Sequence, residues 1–355
     1  YYFLTVAETN GKRISELPDN INAASKTITI FDDFVFYEKE TRNLFAAGTQ
    51  WFGEDFSVEN VQNFKINFNT IDTNSPIKIK VGGAAISALS SSMEVKVNTQ
   101  NAFSISYPSV TSGSLTLGYP NFNSSNINVN SSSLDVSITY NNNGNPGAKA
   151  YLDYIEIVGK KQLIANGKQF SFRSFEAFKT NGIVEYQIQT ATNISQLWDV
   201  TDYINPKRVS NSSNGNNFVF KANGGILNEY IALNQSDYFT PEVEENSLVK
   251  NQNLHALKDV NYIVITNDEL SGQAQRLADY HQTNSGLTTK VVQLSEIYNE
   301  FGSGSPDITA VRDFIKRVYN TNTNTTSKLK YICFFGDGSY DYKDRITDNN
   351  NIVPV

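Results

Sequence analysis

The sequence predicts a multidomain fold in which an antiparallel β-sandwich or jelly-roll region precedes the first half of an α/β domain with a parallel sheet. Up to about Tyr238, short runs rich in β-branched and aromatic residues are separated by turns rich in Asn, Ser and Gly. After about residue 246, apolar runs of strand length alternate with stretches of helical periodicity. The first pattern is typical of sandwiches and jelly rolls, and the second of parallel sheets covered by helices.

In the first region, the strand predictions depend on alternation between apolar and polar residues. The clearest cases are residues 77–81 (IKIKV) and 93–97 (MEVKV), in which charged side chains occupy every second position. Such alternation indicates a strand with one buried and one exposed face. We predict a strand segment of an N-terminal domain at 1–55 and a sandwich region at 56–245, which is either one sandwich or two divided near Lys160.

The remaining residues, 246–355, are predicted to form the first half of the α/β domain. Residues 260–266 (VNYIVIT) are a continuous apolar run, as expected for a strand covered on both faces. Two more buried strands are predicted at 289–294 and 329–335. Three strands do not complete a sheet of this kind, so we expect the sheet to be truncated and the chain to be a fragment of a longer protein that continues beyond Val355.

Helices are predicted between these strands. Apolar residues recur at helical spacing from Leu270 to His281, and Gly286 is suited to end that helix because glycine readily adopts the left-handed conformation. A second helix is predicted to begin at Ser305 as its N-cap, with Asp307 in the first turn facing the positive end of the helix dipole.

Composition and charge exclude several classes of function. The chain has 355 residues, with 36 Asp and Glu against 29 Lys and Arg, and a net charge of −7. The basic residues are scattered, which argues against nucleic-acid binding. A single Cys cannot form an internal disulfide. No apolar run approaches the roughly 20 residues that a membrane-spanning helix needs, so we predict no membrane span.

The nucleophile and imidazole candidates are few. Cys333 lies within the third predicted strand, where a buried, structural role is expected, because reactive thiolates need a partly exposed, electropositive setting. His255 is in the linker before the first parallel strand, and His281 is at the edge of a helix, where packing or capping is expected. No His and Cys residues are spaced as a metal site.

The best polar constellation is the loop after the third strand, which contains Gly336, Asp337 and Asp341. Parallel sheets place their ligand crevices at the carboxyl ends of the strands, so these residues are candidates for the rim of a crevice. One interpretation is a turn stabilised by Asp side chains. The alternative is a structural Ca²⁺, although Tyr342 stands where a calcium-binding EF-hand loop requires Gly. No other cofactor is predicted.

Aromatic residues of the sandwich region allow two interpretations. Trp51 and Trp198, with the many Tyr and Phe residues, would form either a glycan-binding face or part of the core. The residues alone therefore describe a sandwich and half of an α/β sheet, without an activity.

Several strings in the chain, taken in order, resemble a known family. They are YEKE at 37–40, GTQWFGE at 48–54, LDYIE at 152–156, WDVTD at 198–202 and KYICFFGDGSYD at 330–341. Together they resemble the gingipain-related cell-surface sortases of the bacterial type IX secretion system, over essentially the whole chain. The last string is the most specific.

This resemblance implies a caspase/gingipain-like α/β peptidase domain and a cysteine-type endopeptidase and transpeptidase activity. Such enzymes remove C-terminal sorting domains from secreted cargo and attach the cargo to anionic lipopolysaccharide at the outer face of the outer membrane. They work with an outer-membrane β-barrel shuttle protein. The implied mechanism is attack of a thiolate on a peptide carbonyl to give a thioester.

The site residues implied by the resemblance are limited. The catalytic His and Cys of the family are expected downstream of Val355, so no catalytic residue is assigned here. Gly336, Asp337 and Asp341 match the family motif and are expected to have a crevice-rim or structural role. Two alternatives remain: a non-catalytic surface component that docks on an outer-membrane β-barrel, and a hydrolase that uses Asp337 and Asp341 to bind Mg²⁺ or Ca²⁺.

Overall fold

The computed structural model describes residues 1–4, 6, 8–46, 48–165, 168–213, 215–245, 248–321 and 328–354. The chain folds into two compact units. The first, called the β unit, comprises Asn10–Leu44 and Trp51–Glu242, and the second, called the α/β unit, comprises Tyr1–Thr9, Phe45–Gln50 and Val243–Val355. Residues 1–55 are therefore divided between the two units rather than forming one segment.

The β unit contains strands β1–β16 and one short helix. The strands are β1 Ser15–Glu16, β2 Lys26–Ile28, β3 Ile30–Glu38, β4 Val61–Asn67, β5 Ile77–Ile86, β6 Ser91–Val97, β7 Gln100–Tyr107, β8 Tyr119–Ile127, β9 Ser133–Asn141, β10 Lys149–Gln162, β11 Phe170–Arg173, β12 Ile183–Ile188, β13 Gln196–Asp199, β14 Lys207–Val209, β15 Phe218–Asn223 and β16 Glu229–Leu233. Helix α1 is Phe175–Lys179, and a 3₁₀ turn lies at Gln235–Asp237.

One long sheet runs through the β unit, in the order β1-β14-β13-β16-β11-β3-β10-β5-β8 among the described residues. The sheet β4-β9-β6-β7 packs on one half of it, and the sheet β15-β12-β2 packs on the other half. Each half encloses its own core, the first around residues such as Leu134 and Ile157 and the second around residues such as Phe172 and Tyr186. The predicted antiparallel sandwich architecture is confirmed, in the form of two sandwiches that share a sheet.

The alternation predicted for the strands is confirmed in the first sandwich. In β5, Ile77, Ile79 and Val81 are fully buried, while Lys78 on the same strand is exposed. Along β3, Phe31 packs in the second core and Val35 packs against the first, so this strand contributes to both. The strand therefore joins the two sandwiches through its covalent backbone.

The open side of the first sandwich is closed by side-chain amides. Strands β7 and β8 belong to opposite sheets, and the Nδ2 atoms of Asn121 and Asn123 donate to the backbone carbonyls of Ser106 and Ser104, each at 2.8 Å. These amides replace the backbone ladder that would otherwise join neighbouring strands. The Asn-rich composition thus has a specific structural use here.

The α/β unit contains a parallel sheet with helices on both faces. Its elements are a 3₁₀ turn at Leu254–Ala256, β17 Tyr262–Thr266, α2 Ser271–Ser285, β18 Thr289–Gln293, α3 Leu294–Phe301, α4 Ile308–Thr321 and β19 Tyr331–Phe334. The strand order is β18-β17-β19, and both pairings are parallel. No helix in the described part of the chain is both long and apolar enough to cross a membrane.

The central strand confirms the prediction of burial on both faces. Ile263 and Ile265 pack in the core that contains α3 and α4, while Tyr262 and Val264 pack with α2 on the opposite face. Helix α2 ends as predicted, with Gly286 at its C-cap in the left-handed conformation (φ 63°). The predicted order of strands and helices is therefore confirmed for this part of the unit.

Two local predictions about the helices differ from the structure. Helix α3 was not predicted, because it begins at Leu294 directly after β18 with no intervening turn residues. The N-cap of α4 was predicted at Ser305, but the Asp307 carboxylate accepts from the backbone N–H of Thr309 at 2.7 Å and from its hydroxyl at 2.7 Å. Asp307 therefore caps the helix, and Ser305 is an exposed residue before it.

The third strand is less buried than predicted. Strand β19 is at the edge of the sheet β18-β17-β19, and Tyr331 and Phe334 are 56% and 40% exposed. Cys333, expected to be buried, is only half-buried. The prediction failed because an apolar run has the same sequence pattern whether its strand is at the edge or in the centre of a sheet.

Candidate functional site

The candidate site begins where the central strand ends. Thr266, the last residue of β17, is fully buried, and its hydroxyl donates to the carbonyl of Phe335 at 2.8 Å. The N–H of Phe335 donates to the carbonyl of Ile265 at 2.8 Å. These two bonds fasten the start of the loop that follows β19 to the carboxyl end of β17, the edge at which parallel sheets form ligand crevices.

Gly336 is required by both conformation and space. Its φ of 147° is a value that residues with a side chain rarely adopt, and an added Cβ would lie 2.4 Å from Cγ2 of Ile352. Next to it, the carbonyl of Asp337 accepts from the N–H groups of Ile352 (2.9 Å) and Val353 (3.0 Å). The loop that starts at Gly336 therefore returns to its own beginning and closes there. We call residues 336–353 the closed loop.

Asp341 organises the interior of the closed loop. Its side chain is fully buried, and Oδ2 accepts from the N–H of Ile346 at 2.6 Å. Its carbonyl accepts from the side-chain amide of Asn349 at 2.7 Å, and the guanidinium of Arg345 lies 3.9 Å from Oδ1. A carboxylate held in this way stabilises the loop by charge-assisted contacts. These contacts give Asp341 a structural role.

Asp337 has a different environment from Asp341, since it is exposed and its hydrogen bonds to Ile352 and Val353 use the backbone carbonyl rather than the carboxylate. Within the described residues, no three His, Cys, Asp or Glu side chains are grouped so that they could hold a metal ion. The hypothesis of a hydrolase that binds Mg²⁺ or Ca²⁺ through Asp337 and Asp341 therefore has no support from the site geometry.

Cys333 lies beside a tyrosine on the face of the sheet that α2 covers. It packs with Tyr262, and burial together with the neighbouring thiol raises the pKa of Tyr262 to about 12. The ring of His281 meets the ring of Tyr262 edge-on at 5.0 Å between centroids. Tyr262 and Tyr331 are the first residues of their strands, whereas Cys333 is the last but one residue of β19 and is close in sequence to the closed loop.

His255 is held by a partly buried glutamate rather than presented to a nucleophile. Its Nδ1 is 2.7 Å from Oε2 of Glu300, and its ring stacks on Phe301 with centroids 4.3 Å apart. Glu300 also accepts from the backbone N–H of Leu254 at 2.6 Å and from the side-chain amide of Gln252 at 2.9 Å. Burial opposes ionisation of Glu300, but these bonds outweigh it and hold its pKa below the ordinary value. Together they fasten the 3₁₀ turn before β17 to α3.

The tryptophans do not form a glycan-binding face. Trp51 is only 3% exposed, and Trp198 is partly buried with its indole N–H donating to Oε1 of Gln196 at 2.9 Å. Of the two interpretations left open by the sequence, the structure supports a place in the core for Trp51. In the same string as Trp51, the carboxylate of Glu54 accepts a hydrogen bond from the Tyr37 hydroxyl. It also forms an ion pair with Lys39, with 2.7 Å between Oε1 and Nζ.

One segment of the site was not predicted. Residues Phe45–Gln50 belong to the α/β unit, and a Cβ added to Gly48 would lie 2.8 Å from the carbonyl oxygen of Tyr340 in the closed loop. The signal available in the sequence was the glycine in the string at 48–54, but nothing in the string indicates what that glycine contacts. The structure thus adds Gly48 to Gly336 and Asp341 as residues that shape the loop.

The part of the chain that contains the parallel sheet is similar to a known peptidase family. Residues 255–355 match the model of peptidase family C25. This part of the α/β unit is therefore similar to C25 peptidases. The matched residues include the parallel sheet and the closed loop described above, and the predicted gingipain-like α/β fold is confirmed.

A solved structure extends the likeness to the β unit. Dimeric latent PorU from Porphyromonas gingivalis matches with a TM-score of 0.78 and 22% identity, covering 96% of this chain and 34% of the PorU chain. The chain thus spans about a third of the length of that protein and shares its fold. No curated protein matches the chain in sequence.

Carbohydrate-binding modules match a smaller part. The CBM36-1 domain of a xylanase from the hindgut metagenome of Trinervitermes trinervoides has 14% identity and a TM-score of 0.24, covering 36% of this chain and 95% of the module. A CBM36 module in complex with calcium and xylotriose has 15% identity and a TM-score of 0.23, covering 35% of this chain and 98% of the module.

Proposed function

We propose that the chain is part of a gingipain-like cysteine peptidase and transpeptidase of the type IX secretion system. In this proposal the enzyme removes C-terminal sorting domains from secreted cargo and attaches the cargo to anionic lipopolysaccharide. It acts at the outer face of the bacterial outer membrane, with an outer-membrane β-barrel protein as its partner. The observation that carries the proposal is the C25 match over residues 255–355, joined to a PorU-like fold that extends over both units.

The proposed chemistry has two steps. A thiolate attacks the carbonyl carbon of the scissile peptide bond, the C–N bond breaks, and the sorting domain leaves as a protonated amine. An amine of the acceptor, or water, then attacks the thioester, which forms an amide or an acid and releases the thiol. The first product remains covalently bound, which is what allows the transfer to a new acceptor.

The role of this chain in that chemistry is to build the crevice. The closed loop forms one wall at the carboxyl end of β19, held by Asp341 and by the backbone carbonyl of Asp337. Cys333 is assigned no catalytic role, because it lies within β19 and is half-buried against Tyr262 and α2. The catalytic His and Cys are proposed to come from parts of the protein that follow this chain.

A complementation experiment tests the proposal. Deleting the gene from its bacterium should leave secreted cargo with uncleaved sorting domains and without the lipopolysaccharide anchor, as measured by mass spectrometry of cargo C-termini. The complete gene and its Cys333→Ser variant should both restore processing, and residues 1–355 alone should not. Unchanged cargo processing after the deletion would refute the proposal. If the Cys333→Ser variant did not restore processing despite normal protein levels, Cys333 would have a role in the reaction.

The same experiment separates a second candidate function. In that alternative, the chain is a non-catalytic surface component that docks on an outer-membrane β-barrel. The observation that favours it is that the β unit makes up most of the described chain and contains two complete cores. Restoration of cargo anchoring by residues 1–355 alone would support this alternative over the peptidase.

A further inference from the structure

The segment Phe45–Gln50 has an unusual place in the chain. Its neighbours in sequence, Leu44 and Trp51, belong to the β unit, but the segment itself belongs to the α/β unit. It therefore packs with residues that lie far from it in sequence. Within the segment, Gly48 lies against Tyr340 and Tyr342 of the closed loop.

Gly48 is a glycine for reasons of space. An added Cβ would lie 2.8 Å from the carbonyl oxygen of Tyr340, where ordinary contact begins at 3.4 Å, and 3.5 Å from Cδ1 of the Tyr342 ring. Its φ is outside the left-handed region, so the backbone itself would accept a side chain. The glycine is thus needed because the backbone of residue 48 lies directly against the backbone of Tyr340.

The contact is made at a sensitive point of the closed loop. Tyr340 lies between Ser339, whose hydroxyl accepts from the N–H of Asp341 at 3.0 Å, and Asp341 itself, which holds Ile346. Further bonds within the loop come from the side-chain amide of Asn349 and from the closure at Asp337. Gly48 adds a contact from outside residues 336–353 at this point.

We propose that Gly48 is a positioning residue that holds the closed loop at the carboxyl end of β19. This proposal rests on the proposed function, because the loop is there the wall of the substrate crevice. Small displacements of groups that position a substrate lower the rate of catalysis strongly, even when those groups are outside the reacting centre. Gly48 contributes to the activity through Tyr340, without contact to the substrate.

Hydrogen exchange tests the positioning role without reference to activity. In the complete protein, Gly48→Ala should speed exchange of the amides in 336–346 by about threefold or more, because the Tyr340 carbonyl must move and the loop then opens more often. Gly272→Ala is the matched control, since Gly272 lies on α2 with open space around its Cβ position. Equal exchange in the two variants would overturn the proposal.

A second variant covers the case in which Gly48→Ala fails to fold. Tyr342→Leu keeps Gly48 and removes the ring that lies against it, so it should also speed exchange in 336–346 while the melting transition is kept. If Tyr342→Leu and Gly48→Ala both exchange like the wild type, the segment does not position the loop.

Peptidase kinetics then connect the position of the loop to the reaction. With a peptide substrate, Gly48→Ala in the complete protein should lower kcat/KM by about fivefold or more, mainly through a higher KM, while Gly272→Ala should match the wild type. Altered exchange in a protein with no peptidase activity at all would refute the proposed function but leave the positioning role intact. Altered exchange with unchanged kinetics would show that the contact is structural only, and would overturn the proposal.

Discussion

Glu300 illustrates how one carboxylate can organise a chain segment. It accepts hydrogen bonds from Leu254, His255 and Gln252, and its side chain is 15% exposed. Hydrogen bonds to a charged acceptor contribute more than neutral ones, and removing the acceptor would leave the N–H of the buried Leu254 without this partner. Glu300 therefore holds the 3₁₀ turn before β17 in place through these hydrogen bonds.

The lowered pKa of Glu300 makes its contribution dependent on pH. A carboxylate with a folded pKa below its unfolded value of about 4.3 stabilises the fold fully above that value, and the contribution is lost as the pH falls through the folded pKa. We expect Glu300→Gln to lower the free energy of unfolding by about 1–2 kcal/mol at pH 7, and by less at pH 3.

Urea unfolding between pH 3 and pH 7 measures this difference. The exposed Asp279 on α2 provides a control, since Asp279→Asn should change stability little at either pH. If the deficit of Glu300→Gln were the same at pH 3 and pH 7, the carboxylate would not be the source of the stability.

Gly336 is the residue at which a single methyl group should be most costly. Gly336→Ala would force a side chain into a φ of 147° and against Ile352, so we expect a loss of about 2 kcal/mol or more. Combining it with Ile352→Ala should recover part of that loss, and a double-mutant cycle in thermal unfolding measures how much. Additive losses in the cycle would show that Ile352 is not the group that excludes the methyl.

Among the helices, α4 shows how one side chain can fix the residue at which a helix begins. The Asp307 carboxylate accepts hydrogen bonds from the hydroxyl and from the backbone N–H of Thr309, and these two bonds hold the pKa of Asp307 below its ordinary value. We expect Asp307→Ala to lower the free energy of unfolding by about 1 kcal/mol at pH 7. Ser305→Ala should have almost no effect, and a larger loss in Ser305→Ala than in Asp307→Ala, measured by urea unfolding, would restore Ser305 as the cap.

The helices also show where prediction from sequence succeeds and fails. Helix α2 was predictable because its apolar face and its terminal Gly286 agree. Helix α3 has an equally good apolar period, with Leu294, Ile297 and Phe301 on one face, but it starts where β18 ends. Gln293 is both the last residue of the strand and the N-cap of the helix, so no turn residue separates the two periods and the strand pattern obscures the helix.

The closed loop shows the same limit for the site. The position of the string at 336–341, at the carboxyl edge of the sheet, could be predicted because the string follows a parallel strand. The roles within the loop did not follow, since Asp337 uses its backbone while Asp341 uses its buried carboxylate. Contacts with partners such as Ile352 and Gly48 are not visible in local sequence.

At the scale of the whole molecule, the two sandwiches of the β unit share one continuous sheet. Phe31 and Val35 of β3 pack with different cores, so loosening one core is transmitted along the strand to the other. We therefore expect Leu134→Ala, in the first core, to destabilise both sandwiches by about 2–5 kcal/mol.

Tryptophan fluorescence measures this coupling. In a Trp51→Phe background, Trp198 on β13 reports only on the second sandwich. Its unfolding midpoint in urea should fall with Leu134→Ala about as much as with Leu197→Ala, which is in the second core. An unchanged Trp198 transition in Leu134→Ala would mean that the sandwiches unfold independently.

The two side-chain amide hydrogen bonds between β7 and β8 make the first sandwich sensitive to deamidation. Deamidation turns an asparagine into an aspartate, which at neutral pH accepts hydrogen bonds but has none to donate. At Asn123 the new carboxylate would face the carbonyl oxygen of Ser104, two acceptors with no hydrogen between them. An old molecule would thus lose one of these two hydrogen bonds by gaining one negative charge, without any change in its gene.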